Sequence, residues 1–437
     1  MTDRPLRVAV AAETITFSGA GLSYFVVEAV RRLAGNEPEF SFRVVTSSSY
    51  SDLVRLELPN VEITTWDSRK PQRYCTALLR RLGFADPVST AYTLGSLLPA
   101  RSLRSRWGNL EAIWGGMADV DAIWVPHYAI NSERLSLARN LKRTTAPVLF
   151  TIHDVHPSFF PEEWSEESLA RYENGFMPFA RSSSLVVTHS EFQAEAIREH
   201  LAVAPENIAV TSCPPLLDPG VFEGSATGAG TGRAPAPRRT PARFGLFPAS
   251  STVAHKNHIR LLLAWRVLVD RMGAGCPRLV CTGMQPNWAS VKALVEALEL
   301  SGYVSFTGIV GTAELVSLYR ESDFVIVPSL FEGGGSSPVA EAILAGKPVI
   351  CSDIPQIRQQ VESYGCAVGY FDPESTEEIA GAVERSLESM DVLVREAAGN
   401  REILAPRVGE MWDEWARFYS SKIRQIVEQR GRGGGPA

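Results

Sequence analysis

Two acidic side chains bracket a run of glycine and serine in Glu332-Gly333-Gly334-Gly335-Ser336-Ser337-Pro338-Val339-Ala340-Glu341. A loop of this kind entering a helix offers free backbone N–H groups and the positive end of a dipole, so Gly334, Gly335, Ser336 and Ser337 suit a phosphate or a sugar hydroxyl. An ionised carboxylate presents two acceptor oxygens to a vicinal diol, which makes Glu332 and Glu341 candidate hydroxyl binders. A second group is His255-Lys256-Asn257-His258. Lys256 at a helix start is a point charge suited to a diphosphate; the plainer reading has Asn257 capping the helix and Lys256 solvated. Lacking a nearby carboxylate or cysteine partner in sequence, His255 and His258 are not expected to ligate a metal. His153, in Thr151-Ile152-His153-Asp154, can donate to a sugar or phosphate oxygen near neutral pH. The glycine turn Ser18-Gly19-Ala20-Gly21 lets backbone approach a ligand, but Tyr24 stands where a dinucleotide fingerprint needs its third glycine.

Each group follows an apolar run. Leu6 to Ala12 reads as a strand buried on both faces, and Leu22, Phe25, Val26, Ala29, Val30 and Leu33 recur at helical spacing behind the glycine turn. Further strands are expected at Phe40 to Val45, Ala122 to Val125, Val148 to Ile152, Leu185 to Val187 and Ile208 to Val210. A second series follows at Phe244 to Phe247, Leu279 to Cys281, Val304 to Phe306, Phe324 to Val327 and Val349 to Cys351. Strands alternating with helices predict two doubly wound α/β domains, with ligands beyond the carboxyl ends of the strands and a cleft between the domains. The expected division is an N-terminal Rossmann-like domain over 1–219, with an irregular or helical insertion at about 67–119. A linker over 220–243 follows, rich in Gly, Ala, Pro, Thr and Arg, and then a C-terminal Rossmann-like domain over 244–407. The pattern ends in a helix over 408–429 and a disordered tail over 430–437.

Composition limits the alternatives. A chain of 437 residues exceeds what one core serves, and 45% apolar with 21% charged residues is ordinary globular usage. The net charge of -6 supplies no general attraction to nucleic acid. Six scattered cysteines (Cys75, Cys213, Cys276, Cys281, Cys351, Cys366) show no disulfide framework and no metal spacing, and read as free thiols of a cytoplasmic protein. No signal-like h-region and no apolar stretch of about 20 residues is present, so integral insertion in a membrane is not expected. Arg73, Arg80 and Arg81 beside Leu78, Leu79, Leu82 and Phe84, with Arg101, Arg104, Arg106 and Trp107, leave peripheral contact with the inner membrane face open. A solvated helix face accounts for the same residues more simply.

The combination resembles retaining GT-B glycosyltransferases of family four (glycosyl transferases group 1). The likeness is carried by Phe306-Thr307-Gly308, Leu318-Tyr319, Ser322-Asp323, Pro328-Ser329 through Glu332, Glu341-Ala342 and Gly346-Lys347-Pro348-Val349 in the second domain. In the first it is carried by the glycine turn, His153-Asp154 and Ser190-Glu191-Phe192. The resemblance implies that Glu341 binds the ribose hydroxyls of a nucleotide-diphosphate sugar, Glu332 the donor sugar, Lys256 the diphosphate and the backbone after Gly308 the base. It places His153 against the donor sugar and Gly19 to Gly21 near the diphosphate and acceptor. It implies transfer with retention, no metal and no cofactor beyond the sugar nucleotide. The His-Lys-Asn-His segment is similar to that of mannosyltransferases and leans toward GDP-mannose over UDP-linked hexoses. Eight residues separate Glu332 from Glu341 where the family has seven, so the loop must bulge. Ser251 stands where relatives often carry Arg, and Gln356 where many carry Glu. A glycan, a lipid-linked glycan and a small-molecule acceptor all remain open. Competing functions are a nucleotide-sugar epimerase or hydrolase on the same scaffold, and a non-catalytic partner subunit.

Overall fold

Alternate residues of the first strand enter different cores, as a strand buried on both faces requires. In β1 (Leu6–Ala12), Val8, Val10 and Ala12 belong to one apolar cluster while Ala9 and Ala11 belong to another. The computed structural model describes residues 4–12, 21–47, 51–66, 119–128, 145–223, 243–249, 253–283 and 288–433. Gly19, Ser251, residues 67–118 of the expected insertion with the basic stretch Arg73 to Trp107, and most of the expected linker lie outside the described residues.

The first lobe is a seven-stranded parallel sheet in the order β3-β2-β1-β4-β5-β6-β7. Its members after β1 are β2 (Phe40–Ser47), β3 (Val61–Trp66), β4 (Ala122–Val125), β5 (Val148–Thr151), β6 (Leu185–Thr188) and β7 (Ile208–Val210). The second lobe is a six-stranded parallel sheet in the order β10-β9-β8-β11-β12-β13. It is built from β8 (Phe244–Phe247), β9 (Arg278–Thr282), β10 (Val304–Gly308), β11 (Phe324–Val327), β12 (Val349–Ser352) and β13 (Gly369–Phe371). Both are Rossmann-like sheets, and together they form the GT-B fold. The edge strands β3 and β13 were not expected from sequence. Neither has an unbroken apolar run: β3 reads Val-Glu-Ile-Thr-Thr-Trp, with Glu62 exposed, and β13 has three residues.

In each sheet the strand order reverses beside the first strand, between β1 and β4 and between β8 and β11. At such a reversal the connecting helices leave on opposite faces and open a crevice at the carboxyl ends. β8 pairs with β11 there, Leu246 opposite Val325, so the loops that follow these two strands emerge side by side.

The last helix spans Val408–Gly433, four residues past the expected end at Gln429 and into the expected tail. It does not stand alone. It crosses back to the first lobe and packs on the helix Gly21–Asn36 and on β4 and β5. Trp415 stacks on Tyr419 at 3.9 Å between ring centres and meets Trp124 at 6.0 Å. The Tyr419 hydroxyl lies 2.9 Å from Thr151 Oγ1, which also accepts from Trp124 Nε1 at 3.0 Å. Buried indole and phenol groups usually find such partners. The start of the expected linker is also folded, because Pro219–Phe222 form a 3-10 turn that sets Phe222 against Tyr319 of the second lobe. Among the described residues no helix is long and apolar enough to cross a membrane. The five described cysteines are free.

Candidate active site

Lys256 lies in the 3-10 turn Ala254–Lys256 that follows β8, and Glu332 in the loop that follows β11. Three bonds fasten these segments together. Leu330 N donates to His255 O at 2.7 Å, Asn257 Nδ2 to Pro328 O at 2.9 Å, and Lys256 Nζ to Glu332 Oε1 at 2.7 Å. Asn257 also donates to Pro373 O at 2.7 Å. It occupies the N-cap position of the helix His258–Met272 with φ of 63°, but its side chain makes no capping bond. The expected cap is therefore replaced by a cross-loop staple. Asn is among the few side chains that tolerate the left-handed region, and the staple fixes the turn that carries Lys256. Lys256 is not merely solvated: its side chain is 16% exposed and that of Glu332 12%.

Both side chains line a cavity of about 760 Å³ between the lobes. From the first lobe it is lined by His127, His153, Asp154, His156, Glu163 and His189, and from the second by Gly333, Gly334, Gly335 and Ser337 besides the Lys256 pair. Gly21 is the first residue of the helix Gly21–Asn36 and is not among the lining residues, whereas Leu22 and Phe25 of that helix are. Of the other sequence candidates, Gly308, Ser336 and Glu341 are not among the lining residues. Gly308 ends β10 with φ of 77°, and its carbonyl accepts from Gly283 N at 2.9 Å. Ser336 is buried, and its N–H donates to Gln360 Oε1 at 2.7 Å instead of standing free for a ligand. Glu341 lies further along the helix Ser337–Leu344, where Tyr319 Oη donates to its Oε2 at 2.8 Å. Burial pushes the Glu341 carboxyl up to about 7, and the Tyr319 bond offsets part of that rise.

The triple glycine, besides lining the cavity, is where the two lobes come closest. A Cβ on Gly333 would overlap the His153 carbonyl, and one on Gly334 would overlap the His189 side chain. Gly335 has φ of 110°, which favours glycine, and sits against Gln360. Glycine here lets the lobes meet backbone to backbone. Ser190 Oγ donates to Gly333 O at 3.0 Å and Glu191 N to Gln359 Oε1 at 2.9 Å, both across the cleft. Phe331 adds apolar contact, 5.0 Å from Phe159 and 6.0 Å from Phe160 between ring centres.

His153 differs from its expected role as a donor. Its Nε2 lies 2.9 Å from Pro126 O, and a carbonyl only accepts, so the proton sits on Nε2. Burial lowers its affinity for a second proton. Nδ1 is left as an acceptor, for which a sugar hydroxyl is the matching donor. His127 and His189, each pushed down to about 3 chiefly by burial, flank it with ring centres 6.4 and 5.1 Å away. Neutral rings so arranged favour an uncharged polyol beside them.

His258 packs on Phe247 in the second-lobe core, apart from His255. His255 instead meets His156 and Glu163, and one ligand atom of each lies within 4.8 Å of the others. That grouping joins Glu163 to a residue 92 positions away, and nothing in their spacing announces it.

Residues 246–401 match the family model described as Glycosyl transferases group 1. The chain is 23% identical over 394 residues to O-antigen chain mannosyltransferase B of Escherichia coli, covering 88% of this chain and 91% of that one. It is 27% identical over 256 residues to the MMP alpha-(1->4)-mannosyltransferase of Mycolicibacterium hassiacum, covering 56% and 57%. The crystal structure of Anabaena HepE in complex with UDP and glucose superposes with a TM-score of 0.63 at 16% identity, over 95% of this chain and 100% of that one.

Proposed function

We propose that this group 1 GT-B glycosyltransferase, similar to mannosyltransferases, moves a hexose from a nucleoside diphosphate to a hydroxyl acceptor with retention and without a metal ion. The observation that carries the reading is the Lys256–Glu332 pair, held at 2.7 Å in an interlobe cavity lined with neutral histidines. Lys256 balances charge that builds on the departing diphosphate, and a fixed cation in a water-poor cleft does so at little reorganisation cost. Glu332 accepts from donor-sugar hydroxyls and His153 Nδ1 from another. Glu341 takes the ribose diol. The leaving phosphate oxygen accepts the acceptor's proton on the face the nucleophile attacks, so the C–O bond to phosphate breaks as the new glycosidic bond forms on the same side.

Mannose from GDP-mannose is the donor favoured, on the mannosyltransferase names of the relatives; a UDP-linked hexose is the runner-up. The acceptor is a glycan, a lipid-linked glycan or a small molecule. Metal independence is supported by the tautomer of His156. Its Nδ1 accepts from Trp164 Nε1 at 2.8 Å, so Nε2 carries a proton and has no lone pair for a cation. The site acts on the cytoplasmic side, where nucleotide sugars are held.

The test is turnover of a panel of GDP-, UDP- and ADP-sugars with proton NMR of the product's anomeric centre, with and without EDTA. Retention from GDP-mannose in EDTA agrees with the proposal. Inversion, dependence on a divalent ion, or silence with every donor and acceptor contradicts it.

A further inference from the structure

Glu163 belongs to the first lobe, in the turn Pro161–Glu163, but its hydrogen bonds reach the second. Oε1 accepts from the backbone N–H of His255 at 2.8 Å. Oε2 lies 3.4 Å from His255 Nδ1 and 3.4 Å from His156 Nε2. The three side chains are 9%, 15% and 10% exposed for Glu163, His255 and His156. A carboxylate so enclosed is held only by donors, since an unpaired buried charge is costly. The His255 backbone N–H, from the turn whose next residue is Lys256, and His255 Nδ1 bond the carboxylate, while the Trp164 bond fixes the His156 proton on Nε2, which lies 3.4 Å from Oε2 without completing a hydrogen bond. A cation in the same place would require that proton to move to Nδ1, against the Trp164 N–H. The geometry therefore fits a carboxylate gathering N–H groups better than a metal centre.

Lys256 is presented by a turn of the second lobe, and that turn is held from the second lobe by Asn257 and Leu330 and from the first lobe by Glu163. We propose that Glu163 is a positioning residue which sets Lys256 toward the transferring phosphate only when the lobes are closed, so that the diphosphate site is incomplete without the first lobe. The proposal rests on the reading of the cleft as a nucleotide-sugar site. Its chemical value is timing: the cation reaches its place as water is excluded, which favours transfer over hydrolysis of the donor. Ser190 Oγ on Gly333 O is a second contact across the same cleft, made with the loop after β11 and not with the Lys256 turn.

The experiment compares wild type, Glu163→Ala and Glu163→Gln by thermal melting, solution X-ray scattering, titration with GDP and UDP, and kcat and KM for the best donor. For Glu163→Ala, kcat falls by about a hundredfold, of the order that misplacing one transition-state cation brings. Affinity for the nucleoside diphosphate changes by less than about threefold, and scattering shows a larger radius of gyration than wild type. Glu163→Gln keeps an oxygen for the His255 N–H and recovers part of kcat, which separates positioning from loss of fold. Wild-type kcat and scattering in Glu163→Ala overturn the proposal, as does a rise in KM alone that is equal in both variants. Activity that EDTA abolishes and Zn²⁺ restores in wild type overturns it too, by making the trio a metal site. If wild type turns over no nucleotide sugar, the transferase reading fails. The scattering comparison then decides alone, and an unchanged radius in Glu163→Ala refutes the latch.

Discussion

Glu341→Gln is expected to make the protein more stable and less able to bind nucleotide, and the stability gain must depend on pH. The carboxyl titrates at about 7 in the folded chain against 4.5 for the free group, mainly because burial disfavours its charge. Between those values the folded chain keeps a proton that the unfolded chain has released. Stability therefore falls as pH rises through this window, and the whole penalty is present above the folded value. A shift of about 2.5 units at ~1.4 kcal/mol each gives ~3 kcal/mol, trimmed where the partly buried side chain meets solvent. The amide carries no such penalty and still accepts from Tyr319 Oη. In a lobe of this size ~1 kcal/mol moves the melting temperature by about 2–4 °C, so the variant should melt about 6–12 °C above wild type at pH 8 and level with it near pH 4.5. Differential scanning calorimetry at both pH values is the assay, read on the second-lobe transition. A gain of equal size at both, or none at pH 8, refutes the account of Glu341 as a charge held at a cost for a ligand. GDP titration on the same samples should show at least tenfold weaker binding.

Other expectations follow from the same contacts. In wild type, nucleotide affinity should strengthen as pH rises through about 7, when Glu341 ionises and can accept from a diol, and titration calorimetry from pH 6 to 8 should find that trend absent in Glu341→Gln. Gly334→Ala, which puts a methyl into the His189 side chain, should hold the lobes apart, lowering kcat by about tenfold or more with a larger radius of gyration in scattering. Trp415→Ala should cost about 3–5 kcal/mol in the first lobe, and truncation before Val408 should unfold that lobe, as denaturant melts followed by tryptophan emission will report. His153→Phe removes the acceptor at Nδ1 and should lower kcat at pH 8, where the ring is neutral because burial lowers its proton affinity, with little change in the affinity for GDP by titration.

The sheets were readable where the physics is local. Strands buried on both faces, such as Leu6–Ala12 and Phe324–Val327, appear as unbroken apolar runs, whereas β3 and β13 at the sheet edges expose residues and lose that signature. Lys256, Glu332 and His153 were legible because loops after parallel strands must face the crevice, and all three line one cavity. What was not legible depends on the second lobe arriving. Gly334 and Gly335 read from sequence as suited to a phosphate or a sugar hydroxyl, but what stands against the three glycines is His153, His189 and Gln360, two of them from the other lobe. Glu163 and His156 carry no spacing signal at all, for their partner His255 lies across the cleft. The return of the final helix to the first lobe is similarly non-local: its amphipathic face was plain, and what covers it was not.

A crystal of the protein grown with GDP tests the central claim most directly. The account predicts diphosphate oxygens against Lys256 Nζ, displacing or sharing its bond to Glu332, and ribose hydroxyls on the Glu341 carboxylate. Nucleotide bound elsewhere on either lobe, or bound in the cleft with Lys256 and Glu341 turned away from it, contradicts it.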